Sequence, residues 1–422
     1  MTVRSLAAAD SGITTMQTMI DTIGNNVANS DTDGYKQTTA QFSDVLTEQL
    51  TPSSAPIPGL ASTNPSSIGS GDQLSAITTD FSEGAIVQTG SPSNAAIQGN
   101  GFFVVSSGGQ QYYTRDGAFQ LDVNGVLETA DGAEVQGWAP GAATTGPTGP
   151  LTIPSGLTIP PAETANVTLT GNLPAGATAP VTTTSTLYDA QGNTVPITVT
   201  FTPTGTANQW NMQATDSANN NLFGAGGVVL NYNANGQLAS YAVNGGATTA
   251  VGTGQTSIST LALPAGAQWK EAAIKFDFPA VGSNTAVTQY GSDQTIAAGQ
   301  DGYTSGSLES YSIGQTGEIT GTFSNGQSES LGTIALATFT NPGGLLDNGN
   351  LEYSTTAGSG QPQVGTPGTA GRGTILGGAL EQSNVDLANQ LTSLIEAQTD
   401  YQADTKVVST TQTALQALVT NA

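Results

Sequence analysis

The two ends of this 422-residue chain carry apolar residues at a helical period, and the long interior between them carries short β-type runs. In the first thirty residues, Leu6, Ala9, Ile13, Met16, Ile20, Ile23 and Val27 follow one another in steps of three and four. That is a narrow seam with a 3.5-residue period, and it predicts a helix over 5–28. Gly24-Asn25-Asn26 weakens the last turn, and the turn residues Asp31-Thr-Asp-Gly34 end it. At the other end Leu380, Leu387, Leu394, Tyr401, Val408 and Leu415 recur every seven residues. The companion register is read as Asn384, Leu391, Gln398, Thr405, Gln412 and Val419, only half of it apolar. Ser383-Asn-Val-Asp386 resembles a capping box, which starts this helix near Asn384. At about 1.5 Å per residue the C-terminal helix reaches about 54 Å and the N-terminal one about 36 Å.

Gly101-Phe-Phe-Val-Val105, Thr198-Val-Thr-Phe201, Val228-Val-Leu230 and Thr333-Ile-Ala-Leu-Ala-Thr-Phe339 are strand-like, and glycine (54) and proline (20) punctuate throughout. Residues 140–185 are rich in Pro, Gly, Ala and Thr, and a second shift falls near Phe278-Pro-Ala-Val-Gly282. The expected fold is mainly β with terminal α-helices: the N- and C-terminal helices form a coiled coil, and two β-sandwich or barrel-like domains are nested between them. The expected domains are 1–30 with 384–422 (terminal coiled coil), 31–80 with 358–383 (extended connecting segments), 81–145 with 285–357 (a discontinuous β-domain) and 146–284 (an inserted outer β-domain).

Composition removes most chemistry. With no histidine and no cysteine, a Ser-His-Asp or Cys-His centre, the usual zinc sites and disulfides are excluded. Acids outnumber bases 31 to 7, so the surface repels phosphate backbones and no nucleic-acid partner is expected. None of Lys36, Lys270, Lys275 and Lys406 follows a glycine, so there is no phosphate loop. Asp122-Val-Asn-Gly125 lacks a calcium loop's length and closing Glu, and reads as a hairpin turn. Trp138, Trp210 and Trp269 could line a sugar site, but core or turn roles fit them better. No cofactor, metal or catalytic residue is expected, and the chain is expected not to be an enzyme. There is no run of 18 apolar residues and no charged-then-apolar leader at the start, so neither membrane insertion nor a cleaved secretory signal is expected.

The N-terminal seam, fully buried, is worth about 9–18 kcal/mol. Ordering its backbone costs about 1–2 kcal/mol per residue, so a single narrow seam does not hold the helix firmly. Each terminus needs further partners, and other copies of the chain would supply them.

Asn25-Asn26-Val-Ala-Asn29, Thr32-Asp-Gly34-Tyr35-Lys36 and Phe42-Ser-Asp-Val-Leu46 resemble the N-terminal signature of bacterial flagellar rod and hook proteins. Ala96-Ile-Gln-Gly-Asn-Gly-Phe-Phe-Val-Val105 and Tyr113-Thr-Arg-Asp-Gly-Ala-Phe119 follow that family's β-segment. Ser383-Asn384-Val-Asp386-Leu387 and Ala397-Gln398-Thr-Asp-Tyr401-Gln-Ala403 resemble its C-terminal signature. Ile319-Thr-Gly-Thr-Phe-Ser-Asn-Gly-Gln327, the segment Leu331–Leu345 and the large insert resemble the hook branch rather than the shorter rod branch. Thr399 stands where the family usually has Arg, and Asp404 where it has Asn.

The resemblance implies a structural subunit that polymerises into a flexible helical tube, the universal joint between motor and filament. It implies terminal helices lining the inner tube, with Leu6, Ile13, Met16, Ile20, Ile23, Val27, Leu387, Leu391, Leu394, Tyr401, Val408 and Leu415 as assembly seams. The implied partners are further copies, distal rod and hook–filament junction proteins, the hook cap protein during assembly, and the flagellar type III export apparatus. The implied location is an extracellular appendage reached without a cleaved signal. A long distal-rod-like subunit and a secreted glycan-binding β-protein are the alternatives.

Overall fold

A computed structural model describes residues 2–51 and 64–420. The chain divides into two compact units. The first comprises Met1–Ser155, Ser310–Gly321 and Glu329–Ala422, and the second Gly156–Glu309 with Thr322–Ser328. The expected insert limit at 284 falls inside this second unit.

In the first unit α1 (Thr2–Ala28) and α2 (Leu387–Thr420) pack on each other. They run antiparallel: Asn26 meets Gln390, whereas Gly12, early in α1, lies against Asp404, late in α2. The helix α2 begins at Leu387, not near Asn384 as the capping box suggested. Asp386 is the cap, its Oδ1 accepting from the Ala388 and Asn389 N–H groups at 3.0 and 3.2 Å. Ser383 Oγ accepts only from the Val385 N–H, so it lies too early to cap.

The other side of α1 meets an antiparallel strand pair, Thr38–Asp44 with Asp72–Thr79. Thr15 donates its hydroxyl to Asp72 Oδ2 at 2.8 Å, and the Asp72 N–H donates to Ser11 Oγ. This pairing lies in the stretch 31–80 expected as an extended connection, of which 52–63 fall outside the described residues. The β-part of the unit is closed by pairings between its two halves. Leu336–Thr338 pairs antiparallel with Phe102–Ser107, Thr374–Gly377 with Ala95–Gln98, and Ala379–Glu381 with Ile86–Gln88. Phe102, Tyr113, Trp138, Phe339 and Tyr353 are buried together, several of their rings edge to face.

The second unit holds a six-stranded antiparallel sheet over 181–250. Its core also takes Val167, Leu169, Phe276 and Phe278 from a second sheet. The strand Gln209–Asp216 alternates half-buried and buried positions throughout, the period-2 signature of a sheet with one covered face. Trp210 is buried in this core, Trp138 in that of the first unit, and Trp269 donates to the Pro264 carbonyl. The Asp122 segment is a hairpin turn, Oδ1 accepting from the Asn124 and Val126 N–H groups.

Two buried carboxylates staple the second unit. Asp189 accepts from the N–H groups of Gln191, Asn193 and Gln268, and Asp216 from those of Ala218, Asn220 and Ala265. Each thereby closes its own turn and ties down one end of the 265–268 segment. Burial pushes both carboxyls up, but the hydrogen bonds from Asn193 and Asn220 and from the backbone outweigh it, leaving both below the usual range. A carboxyl held low in the folded state contributes stability above its unfolded value near pH 4, and that contribution disappears as pH falls. The second unit should therefore lose stability on acidification below about pH 4. Asp216→Asn should flatten that dependence in a series of thermal melts.

Candidate assembly site

The residues of the N- and C-terminal signatures converge where α1 ends and α2 begins. Asn29 caps the end of α1, donating Nδ2 to Asn25 O and Oδ1 at 3.0 and 2.9 Å and accepting from the Thr32 hydroxyl. Gly34 follows at φ +74, with its α-carbon so near Asp116 that a Cβ would sit 2.7 Å from the Asp116 nitrogen. Only glycine meets both conditions. The turn directs Tyr35 and Lys36 inward, where both are buried.

Asn26 is a buried junction. Its Oδ1 accepts from the Tyr35 hydroxyl at 3.0 Å and the Thr38 N–H at 2.9 Å, while Nδ2 donates to the Thr38 carbonyl at 2.7 Å and to Gln390 Oε1 at 3.2 Å. One amide thus joins α1, the strand after it and α2. Asn384 lies outside the helix and makes a second junction. It accepts from the Gln37 N–H at 2.8 Å and donates to the Asp80 and Ser82 carbonyls. Its place in the family signature is therefore not a seam position of the helix.

Between these junctions sits a buried ion cluster. Lys36 Nζ lies 2.5 Å from Glu381 Oε1 and 2.7 Å from the Ser82 carbonyl, and Arg115 Nη1 lies 3.2 Å from Glu381 Oε2. The Gly84 N–H also donates to the carboxylate, and Gly34 N–H to the Glu381 carbonyl at 2.7 Å. Burial pulls the Lys36 and Arg115 cations down from their ordinary values, and Glu381 opposes this in both. Lys36 and Arg115 both lie in family motifs, whereas Glu381 belongs to none of them. The available signal was scarcity: with only 7 basic residues in the chain, two within family motifs invite a buried acid.

The helix seam differs from the expected one. The inward line of α2 is Gln390, Ala397, Asp404 and Thr411, with Leu394, Tyr401, Val408 and Leu415 half-buried beside it. The companion register lies three residues after the leucine ladder rather than four. Leu387 and Leu391 are therefore 45% exposed, and Gln398 is also exposed. On α1, Ala9, Gly12, Thr15, Ile23 and Asn26 are buried, while Leu6, Ile13, Met16, Ile20 and Val27 are half-buried. The two lines are mostly small or polar, so the backbones approach closely at Gly12, where a Cβ would collide with the Asp404 carboxylate. Burial raises the Asp404 carboxyl, and Asp72 and Asp400 raise it further. Thr399 is exposed, its hydroxyl donating back to the Ile395 carbonyl. Among the described residues no acid cluster could hold a metal ion, and no helix is long and apolar enough to cross a membrane.

Four family profiles match the chain. They are Flagella basal body rod protein over 6–36, Flagellar hook protein FlgE/F/G D1 domain over 96–174, Flagellar basal body protein FlaE D2 domain over 157–303, and Flagellar basal body rod FlgEFG protein C-terminal over 376–421. The chain is 34% identical to the flagellar hook protein FlgE of Borreliella burgdorferi, with 99% of each chain covered. It is 33% identical to that of Escherichia coli, covering 98% of this chain and 99% of that one. The crystal structure of Helicobacter pylori flagellar hook protein FlgE2 is similar in fold, with TM-score 0.51 at 14% identity, covering 70% of this chain and all of the other.

Lys36→Met should cost about 3 kcal/mol, because it leaves Glu381 Oε1 and the Ser82 carbonyl without the buried donor they share, although Arg115 still balances the carboxylate's charge. Chemical denaturation of the whole chain measures it. Asp404→Asn should act oppositely. A carboxyl raised by folding destabilises the folded state as pH climbs through its shifted value, so the variant should melt higher at pH 7 and match the parent near pH 3.

Proposed function

The chain belongs to the bacterial flagellar hook protein family, and on that premise we propose how its parts divide the work of the hook. It is a structural subunit of the bacterial flagellar hook, an appendage built by self-polymerisation. In our reading the paired terminal helices carry the polymer and the second unit sets its mechanical character. The observation that carries this is that α2 keeps an apolar stripe, Leu387, Leu391 and Ile395, exposed beside its buried line. Residues spaced by four lie on one helix face, so this stripe is continuous and is free for neighbouring copies. Leu6, Ile13, Met16, Ile20, Val27, Leu394, Tyr401, Val408 and Leu415 then serve twice, within the helix pair and at the rim of the contact between subunits, while Ile23 is buried inside the subunit. The neck made by Asn26, Lys36, Glu381 and Asn384 sets the angle at which the helices leave the β-part.

The chain works as a building material rather than an enzyme. It leaves the cell uncleaved through the flagellar type III export apparatus, assembles under the hook cap protein, and is bounded by the distal rod and the hook–filament junction proteins. Neither nucleic acid nor a membrane takes part. Charge-poor surfaces of Thr, Ser, Asn and Gly on the second unit give neighbouring subunits many near-equal, water-bridged arrangements, which suits a joint that bends as it turns.

The backbones of Ala162 and Tyr303 are paired by two hydrogen bonds, at 3.0 and 2.9 Å, so excising 163–302 with a short glycine linker should close cleanly. The shortened chain should still form sedimenting tubes, with altered curvature or stiffness under electron microscopy. Loss of all assembly would overturn the proposed division.

A further inference from the structure

Beside the ion cluster, Phe81, Phe102, Phe339, Pro342, Arg115 and Ala370 line a cavity of about 350 Å³. Its polar wall is unusual. Arg115 is 3% exposed, donates Nη1 to Glu381 and Nη2 to the Gly99 carbonyl, and lies 5.5 Å over the Phe102 ring. Its Nε–H has no hydrogen-bond partner among the described residues. A buried donor left unmade costs free energy that a ligand acceptor would recover. The charge is unbalanced too, because the single carboxylate of Glu381 faces both Lys36 and Arg115. Asp80 and Glu83 attract the two cations more weakly, and Glu83 is already engaged with the Gly99 N–H. The cavity therefore suits an apolar group that brings an acceptor or a negative charge with it.

The same unit presents such a group. Leu46 is 81% exposed, one of the most exposed large apolar side chains in the chain, and sits in the acidic segment Asp44-Val-Leu-Thr-Glu48. We propose that the cavity beside Arg115 receives Leu46 of a second copy of this chain, the leucine seated against Phe81, Phe102 and Phe339 and an oxygen of the Asp44–Thr47 segment accepting from Arg115 Nε–H. The inference rests on the reading of the chain as a self-assembling subunit and adds a specific knob and socket to it. Three aromatic rings supply apolar burial for the leucine, and the acids that flank it match the surplus positive charge of the socket.

The absence of cysteine makes a direct test clean. Full-length chains bearing only Leu46→Cys are co-assembled with chains bearing only Ala370→Cys, a residue exposed at the socket's rim. Mild oxidation should give disulfide-linked dimers in the sedimented polymer and none in the unassembled mixture. The reference pair is Leu46→Cys with Val123→Cys, Val123 being 96% exposed on a turn that does not line the socket. Linkage of 46 to 370 several-fold above 46 to 123 supports the proposal, and equal or lower linkage overturns it. Leu46→Ala, which leaves the socket intact, should raise the critical concentration for assembly about 30-fold, and an unchanged value would also overturn it. If the parent chain yields no sedimenting polymer, the self-assembly reading itself fails, an outcome separate from assembly without the 46–370 link.

Discussion

The carboxylate of Glu381 is the point at which the two ends of the chain are fastened. It arrives on the last strand before α2, paired to the strand Ile86–Gln88, and is met by Lys36 from the segment just after α1 and by Arg115 from the β-part. A carboxylate taken out of water is tolerated only when its oxygens are filled, and here two cations and the Gly84 N–H fill them. Such a cluster is intolerant of displacement. It therefore fixes where the N-terminal helix leaves the β-part and where the C-terminal helix enters, although 345 positions separate Lys36 from Glu381.

The helices themselves are held differently. Their shared seam is made of Gly12, Ala9, Ala397, Thr411 and the Asn26–Gln390 amide pair rather than of large apolar residues. Small residues permit close approach but bury little surface, so the pair draws support from the strands behind α1 and, in the proposed polymer, from neighbouring copies. Asp404 adds a local cost, since its carboxyl is partly desolvated and is repelled by Asp400 one turn earlier on α2 and by Asp72 at the start of a strand. An Asn at that position, the usual residue of the family this chain resembles, carries no such charge.

The second unit obeys another rule. In a chain with only 9% charged residues, the turns of this unit are closed by Asp and Asn side chains that accept from their own backbone, as at Asp189, Asp216 and Asn233. Those carboxylates act as internal staples and leave the surrounding surface to hydroxyls and amides.

The seven-residue ladder from Leu387 to Leu415, the three-and-four steps from Leu6 to Val27 and the β-type runs between them were enough to establish two terminal helices around a β interior, because period and turn chemistry are local properties; Leu380, which fits the same spacing, lies instead on the strand Ala379–Glu381. The signature residues Asn26, Gly34, Lys36 and Asn384 were also visible as motifs. What they touch was not. Which face of α2 turns inward depends on Gln390, Ala397, Asp404 and Thr411, residues too small or too polar to leave a hydrophobic trace, and the expected register therefore fell one position away. Asn384 looked like a helix residue because a capping box can be read at Ser383, yet Asp386 caps the helix and Asn384 is used by the chain crossing behind it. Glu381, the acid at the centre of the neck, carries no local mark at all. Long-range pairing decides its role, and pairing over hundreds of residues is settled only when the strands that bring those residues together have closed.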